Sequence, residues 1–177
     1  MPVGDVIAAL QARFPDPKLE LRPLCTYLDG RDSGQFAVRV PADRLKEVMG
    51  FLRDDPRCRF EQLSDVTCVD YLNYPDAEDR FGVTYSLLSL SHNHRLWVKC
   101  FVNDPAPTVP SMCPLWPGAE WTEREAFDMF GIRFEGHPDL RKILTPENFA
   151  DHPLRKDYPL RGKGEREQFE IVTRESA

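Results

Sequence analysis

The sequence predicts an α+β fold: two helices packed on a mixed or largely antiparallel sheet of about five strands, followed by a helix and an extended C-terminal arm. Three observations lead there. Apolar residues alternate at Phe81, Val83, Tyr85 and Leu87 and again at Leu96, Val98, Cys100 and Val102, the period-2 pattern of strands with one buried face. They recur at helical steps at Val6, Ile7, Leu10 and Phe14 and at Leu45, Val48, Met49 and Leu52. Beyond Gly131, Pro138, Pro146, Pro153 and Pro159 each remove a backbone donor and push the preceding residue towards extended geometry.

In chain order, the first helix occupies MPVGDVIAALQARF, and Pro15 with Pro17 ends it. LELRPLCTYL is extended and DGRDSG has the composition of a turn. The strand QFAVRV and the helix ADRLKEVMGFLRDD follow. Three strands are expected between about residues 60 and 102, in FEQLSDVTCVDYL, RFGVTYSLLSLS and HRLWVKCFV, with the short connector SHNHR closing a hairpin between the last two. NDPAPTVPSMCPLWPGAEW is a proline-rich bridge to the third helix. There Thr122 and Glu125 have the spacing of a capping box, and Gly131 supplies the positive φ that stops a helix. The expected organisation is an α+β domain over 1–120, a helix and arm over 121–160, and a polar, mobile tail over 161–177.

A chain of 177 residues with 41% hydrophobic content can bury one core, which favours one domain with an extension over two domains. Its net charge of -6 argues against a general nucleic-acid binder, whose affinity would rest on a basic surface. Five cysteines at wide spacings, Cys25, Cys58, Cys68, Cys100 and Cys113, fit neither a disulfide framework nor a zinc or iron–sulfur ligand set, and read as ordinary, mostly buried thiols of a cytoplasmic protein. The N-terminus lacks the basic flank and apolar run of a secretory signal. No apolar stretch approaches the ~20 residues that cross a bilayer, so a membrane role is expected to be peripheral.

Several residues carry chemistry that two readings explain. Glu125 and Asp128, three apart on one helix face, fit an acid–base pair or half a metal site, while an i,i+4 ion pair between Arg124 and Asp128 is the commoner use of such residues. On the helical wheel Trp121, Arg124, Glu125 and Asp128 form a charged face, opposite a greasy one with Glu123, Ala126, Phe127 and Phe130. His92 and His94 are either a two-residue chelate or hairpin-tip histidines around a turn at Asn93. His137 is either a proton carrier or a turn histidine bonded to neighbouring backbone. The basic pairs Arg141-Lys142 and Arg155-Lys156 have acids close by, which favours charge pairing at an intersubunit contact over phosphate binding. Gly162-Lys163-Gly164 is too short for a phosphate loop, and neither a nucleotide fingerprint nor a nucleophile elbow is present. The residues describe a binding or assembly protein.

Glu123-Arg124-Glu125, Asp128-Met129-Phe130-Gly131-Ile132, Phe134, Gly136 to Leu144 and Pro153 to Leu160 together resemble the C-subunit family of NADH-quinone oxidoreductase, a component of the peripheral arm of respiratory complex I. The resemblance extends upstream through Asp65 to Leu72, Arg80 to Leu90 and Val109 to Trp121. The chain resembles the free-standing form in that family, without a fused D-subunit. The resemblance implies a non-catalytic role, with no catalytic, cofactor-binding or metal-binding residue in this chain. It implies FMN, iron–sulfur clusters and quinone in partner proteins of the complex. It also implies contact with the quinone-site D-subunit and other peripheral-arm components on the cytoplasmic side of the bacterial inner membrane. The residues expected at the partner interface are Glu123, Arg124, Glu125, Asp128, Gly131, His137, Pro138, Arg141, Leu154, Arg155, Asp157 and Tyr158. Two alternatives remain open: the equivalent component of a membrane-bound hydrogenase or other quinone-reducing complex, and a free-standing metal-dependent enzyme using Glu125, Asp128 and His137.

Overall fold

A computed structural model describes residues 3–15, 20–23 and 35–165. The DGRDSG turn, Cys25 and the tail beyond residue 165 lie outside the described residues. The elements run α1 (Val3–Arg13), β1 (Glu20–Pro23), β2 (Phe36–Arg39), α2 (Ala42–Asp54), β3 (Gln62–Asp70), β4 (Phe81–Ser89), β5 (His94–Val102), β6 (Thr108–Pro110), α3 (Ala119–Phe130) and β7 (Arg133–Glu135). This is the expected α+β class, with two short strands that the sequence pattern does not announce.

Five strands form one mixed sheet in the order β1-β2-β5-β4-β3. β3, β4 and β5 pair antiparallel, β2 lies parallel to β5, and β1 pairs antiparallel with β2. The register places Val66, Cys68, Val83, Tyr85, Leu87, Leu96, Val98 and Cys100 on one buried face, where they meet Leu45, Val48, Met49 and Leu52 of α2. Each large apolar side chain fully buried there contributes roughly 1.5–3 kcal/mol relative to exposure. Cys58, Cys68 and Cys100 are buried thiols, and burial pushes Cys68 and Cys100 up to about 12. His94 is buried at the start of β5 and is therefore not a hairpin-tip residue, whereas Asn93 makes the expected turn with φ of 52°.

β6 and β7 pair parallel and are joined through α3, which supplies the crossover that parallel pairing requires. Ala119, Ala126, Met129 and Phe130 of α3, with Ile132 and Phe134 beyond it, belong to the same core as the sheet. The proline-rich bridge thus contributes a strand and seats the helix. No helix among the described residues is long and apolar enough to cross a membrane.

Tyr85 is fully buried, and its hydroxyl has no hydrogen-bond partner among the described residues. A hydroxyl removed from water without compensation costs free energy. Tyr85→Phe is therefore expected to raise stability by about 1 kcal/mol, read as a higher urea midpoint at unchanged denaturant slope.

Candidate partner-docking surface

The third helix begins earlier than its capping-box letters suggest. Ala119 and Glu120 donate their amides to the Trp116 and Pro117 carbonyls, so the first turn is already satisfied when the chain reaches Thr122. The Thr122 hydroxyl donates instead to the Ala119 carbonyl, and no side-chain cap forms. Trp116 is pinned by its indole N–H on the Phe60 carbonyl, which fixes where the helix starts.

The C-terminus of α3 is closed by the arm. A helix end leaves its last four carbonyls without intrahelical donors. Here the Phe127 carbonyl accepts from the Gly131 amide and the Met129 carbonyl from the Leu154 amide. The Asp128 carbonyl lies 2.8 Å from Nδ1 of His152, and the Phe130 carbonyl accepts from Nε of Arg155 at 2.6 Å. Gly131 has φ of 76°, as expected for the helix stop. A Cβ there would also come within 2.6 Å of His152 and 2.8 Å of Arg155, so glycine is required twice.

Arg124 and Asp128 of α3 point under this arm rather than away from it. Arg124 and Asp128 do not pair with each other as their spacing suggests. Arg124, buried, donates Nε and Nη2 to the carbonyls of Arg141 and Lys142. Asp128, fully buried, accepts the amides of Ile143, Leu144 and Thr145 at 3.1, 2.7 and 2.8 Å, and the Thr145 hydroxyl as well. Helical geometry correctly places the two side chains on one face. That face is covered by the arm and holds it in its irregular path.

Burial alone would raise the Asp128 carboxyl, but the Thr145 hydroxyl and the three amides outweigh it and hold Asp128 below the usual carboxylate range. Because the folded carboxyl titrates below the unfolded one, its stabilisation is present above the ordinary carboxylate pKa. It is lost as pH falls through the depressed folded value.

Glu123 is buried on the core side and accepts from the Met112 amide at 2.6 Å, the Ser111 hydroxyl at 2.7 Å and the Cys113 thiol at 3.6 Å. Burial raises its pKa, partly opposed by those donors and by His137. His137 lies with Nε2 4.0 Å from Glu123 and 3.1 Å from the Glu120 carbonyl, while its Nδ1 accepts the Asp139 amide. That arrangement is the turn-histidine reading of His137.

The trio that the sequence offers for metal, Glu125, Asp128 and His137, is not gathered: Glu125 is exposed and Asp128 faces the arm. Cys113, Glu123 and His137 do converge, with ligand atoms within 4.8 Å of one another. The Asp139 amide occupies Nδ1 and leaves the ring proton on Nε2, directed at Glu120, so this group closes on itself.

A second anchor holds the far end of the arm. Arg80, at the start of β4, pairs with Asp70 at 3.2 Å, Asp104 at 2.7 Å and Asp157 at 2.8 Å. Asp70 also accepts the Lys156 amide, and Arg155 reaches Asp104 at 3.4 Å. Arg80 and Arg155 both lie 4.8 Å from the centre of the Phe81 ring. Tyr158 donates to Glu165, and Arg141 pairs with Asp139 at 2.9 Å. Arg155 and Asp157, expected at an intersubunit contact, are thus committed within the chain, and sequence reasoning did not single out Asp70, Arg80, Thr145 or His152.

Large apolar side chains are among those left outward. Trp121 is 61% exposed with the Arg124 guanidinium 5.2 Å from its ring, Leu144 is 62% exposed and Leu154 49%. Pro138 and Arg141 are exposed beside them.

The family described as "Respiratory-chain NADH dehydrogenase, 30 Kd subunit" matches residues 38–164. The chain belongs to this 30 kDa family. Among its relatives, the C-subunit of NADH-quinone oxidoreductase from Maricaulis maris is 50% identical over 130 residues, covering 73% of this chain and 63% of that one. The corresponding protein of Roseiflexus castenholzii is 46% identical over 155 residues, covering 88% and 83%. The chain therefore spans just under two thirds of the length of the Maricaulis protein. A solved trypsin-resistant fragment (1-134) of Nqo5 superposes with TM-score 0.65 at 34% identity, over 79% of this chain and all of that one. A chain of an archaeal membrane-bound sulfane sulfur reductase shares the fold, with TM-score 0.72 at 21% identity over 98% of this chain and 95% of that one. The 30 kDa family match takes in the sheet, α3 and the arm to residue 164, so the arm's anchors lie inside the family's segment.

Asp128→Asn keeps the shape but gives up the charge and one acceptor. It is expected to cost about 2 kcal/mol at neutral pH. Urea unfolding at pH 7 and again below the ordinary carboxylate range should show the difference from the parent chain shrinking at acid pH.

Proposed function

We propose that the chain is a non-catalytic structural component of the peripheral arm of NADH-quinone oxidoreductase, docked on the quinone-site protein of that complex, its D-subunit. It supports electron transfer from NADH to quinone coupled to proton translocation. In this reading FMN, the iron–sulfur clusters and quinone reside in partner proteins. The chain meets the cytoplasmic side of the bacterial inner membrane only through the complex.

The observation that carries the proposal is the division of labour around α3. Arg124, Asp128 and the terminal carbonyls are spent on fixing the arm, while Trp121, Leu144, Leu154 and Leu160 are left exposed on a rigid support. A large aromatic steadied by a neighbouring guanidinium is the kind of anchor that dominates protein interfaces. Of the residues expected at the interface, Glu125, Pro138, Arg141 and Leu154 are exposed, and in this reading they touch the quinone-site protein. Glu123, Arg124, Asp128, Gly131, His137, Arg155, Asp157 and Tyr158 act on it by shaping the surface. The match to a respiratory NADH dehydrogenase family supports this complex over a hydrogenase-type relative.

Trp121→Ala and Leu144→Asp are each expected to weaken docking by about 2 kcal/mol with unchanged circular dichroism. The measurement is recovery of the quinone-site protein with the tagged chain. Stoichiometric recovery with both variants would sink the assignment of this face.

A further inference from the structure

The loop after β3 has a different character from the rest of the surface. Residues 69–79 contain four acidic side chains and no basic one. Asp70 and Asp79 are used internally: Asp70 by Arg80 and the Lys156 amide, and Asp79 by Arg39 at 2.6 Å and Asn103 at 2.7 Å. Asp76 and Glu78 are exposed and form no ion pair or hydrogen bond with the described residues. Between and beside them stand Val69, Leu72 at 47% and Tyr74 at 66% exposure.

The base of the loop is rigid. The Tyr71 amide donates to the Arg80 carbonyl at 2.7 Å, and the Leu72 amide donates to Asp70 at 3.0 Å. The Tyr74 amide donates to the Tyr71 carbonyl at 2.8 Å, and the two tyrosine rings meet edge to face at 5.7 Å. Tyr71 packs on Phe101 above Gly82, where a Cβ would lie 2.8 Å from the Tyr71 ring. A tip held this firmly loses little conformational freedom on binding, which is what makes a preorganised contact efficient.

We propose that the 69–78 loop is a second protein-docking knob, inserting Leu72 and Tyr74 into an apolar cleft edged by lysine or arginine on a neighbouring protein of the assembly. The uncompensated Asp76 and Glu78 select the basic rim by charge complementarity. The same two charges disfavour an anionic lipid surface, which attracts basic segments. The inference rests on the assembly reading above but uses a different surface from the Trp121 and Leu144 face.

The test uses the intact chain in its assembled complex. A photo-crosslinking benzoylphenylalanine replaces Tyr74 in one preparation and Leu144 in another, and adducts are mapped by mass spectrometry. The Tyr74 probe is expected to bond to another protein of the complex within an apolar stretch containing lysine or arginine. Asp76→Lys combined with Glu78→Lys should lower that yield about tenfold and leave the Leu144 adduct unchanged. Adducts of the Tyr74 probe confined to this chain or to lipid, no adduct at all, or a yield indifferent to the charge reversal overturns the knob. If the Leu144 probe still reaches another protein in that case, the assembly reading survives. If neither probe does, both readings fall together.

Discussion

The backbone of the 141–158 segment must find hydrogen-bond partners without forming a ladder of its own, and that constraint organises this end of the molecule. Prolines prevent the segment from becoming a helix or a central strand, yet its residues are too apolar to remain solvated. Asp128 resolves the donor side by taking three consecutive amides on one carboxylate. The arm resolves the helix's own deficit, because the carbonyls of Asp128, Met129 and Phe130 receive partners from His152, Leu154 and Arg155. Each side supplies what the other lacks, so neither the helix end nor the arm has its full set of bonds without the other.

The same logic extends to the sheet. Arg80 sits among Asp70, Asp104 and Asp157, and Arg155 shares both Asp104 and the Phe81 ring. These charges come from the end of β3, the start of β4, the loop after β5 and the arm, four places far apart in sequence. Removing one member of a partly buried network leaves its partners unpaired in low dielectric, which costs more than the pair itself contributes. β6 and β7, zipped parallel on either side of α3, add a backbone constraint on the same helix. The helix is therefore fixed at its start by Trp116, along its length by Glu123 and Asp128, and at its end by the arm.

Periodicity made the sheet and its helices legible. β5 spans the very residues read from HRLWVKCFV, and α2 buries the four side chains its spacing selected. β6 and β7 are three residues each, too short for a period to show. The capping box failed because carbonyls of Trp116 and Pro117 had already satisfied the first turn, a contact made by residues outside the motif. A helical wheel showed that Arg124 and Asp128 share a face, but it holds no information on what covers that face. The protein's own chain covers it here, and so an ion pair that the spacing allows gives way to bonds with backbone seventeen residues on. Thr145 and His152 carry no signal beyond their own letters.

Around α3 three charged side chains lie inside while three large apolar ones lie outside. Glu123, Arg124 and Asp128 are buried, whereas Trp121, Leu144 and Leu154 are not. A buried charge is costly unless it is hydrogen-bonded, and each of these three is. Their cost is balanced by the order they impose on backbone that could not order itself. Once that backbone is fixed, outward tryptophan and leucine side chains no longer have the freedom to collapse onto the core and escape water. A chain that merely needed to be stable would gain nothing from holding them there. Covering them with another protein's apolar surface recovers their hydrophobic free energy without any further ordering of this chain, which is why the rigidity of the arm and the exposure of its leucines belong to one argument.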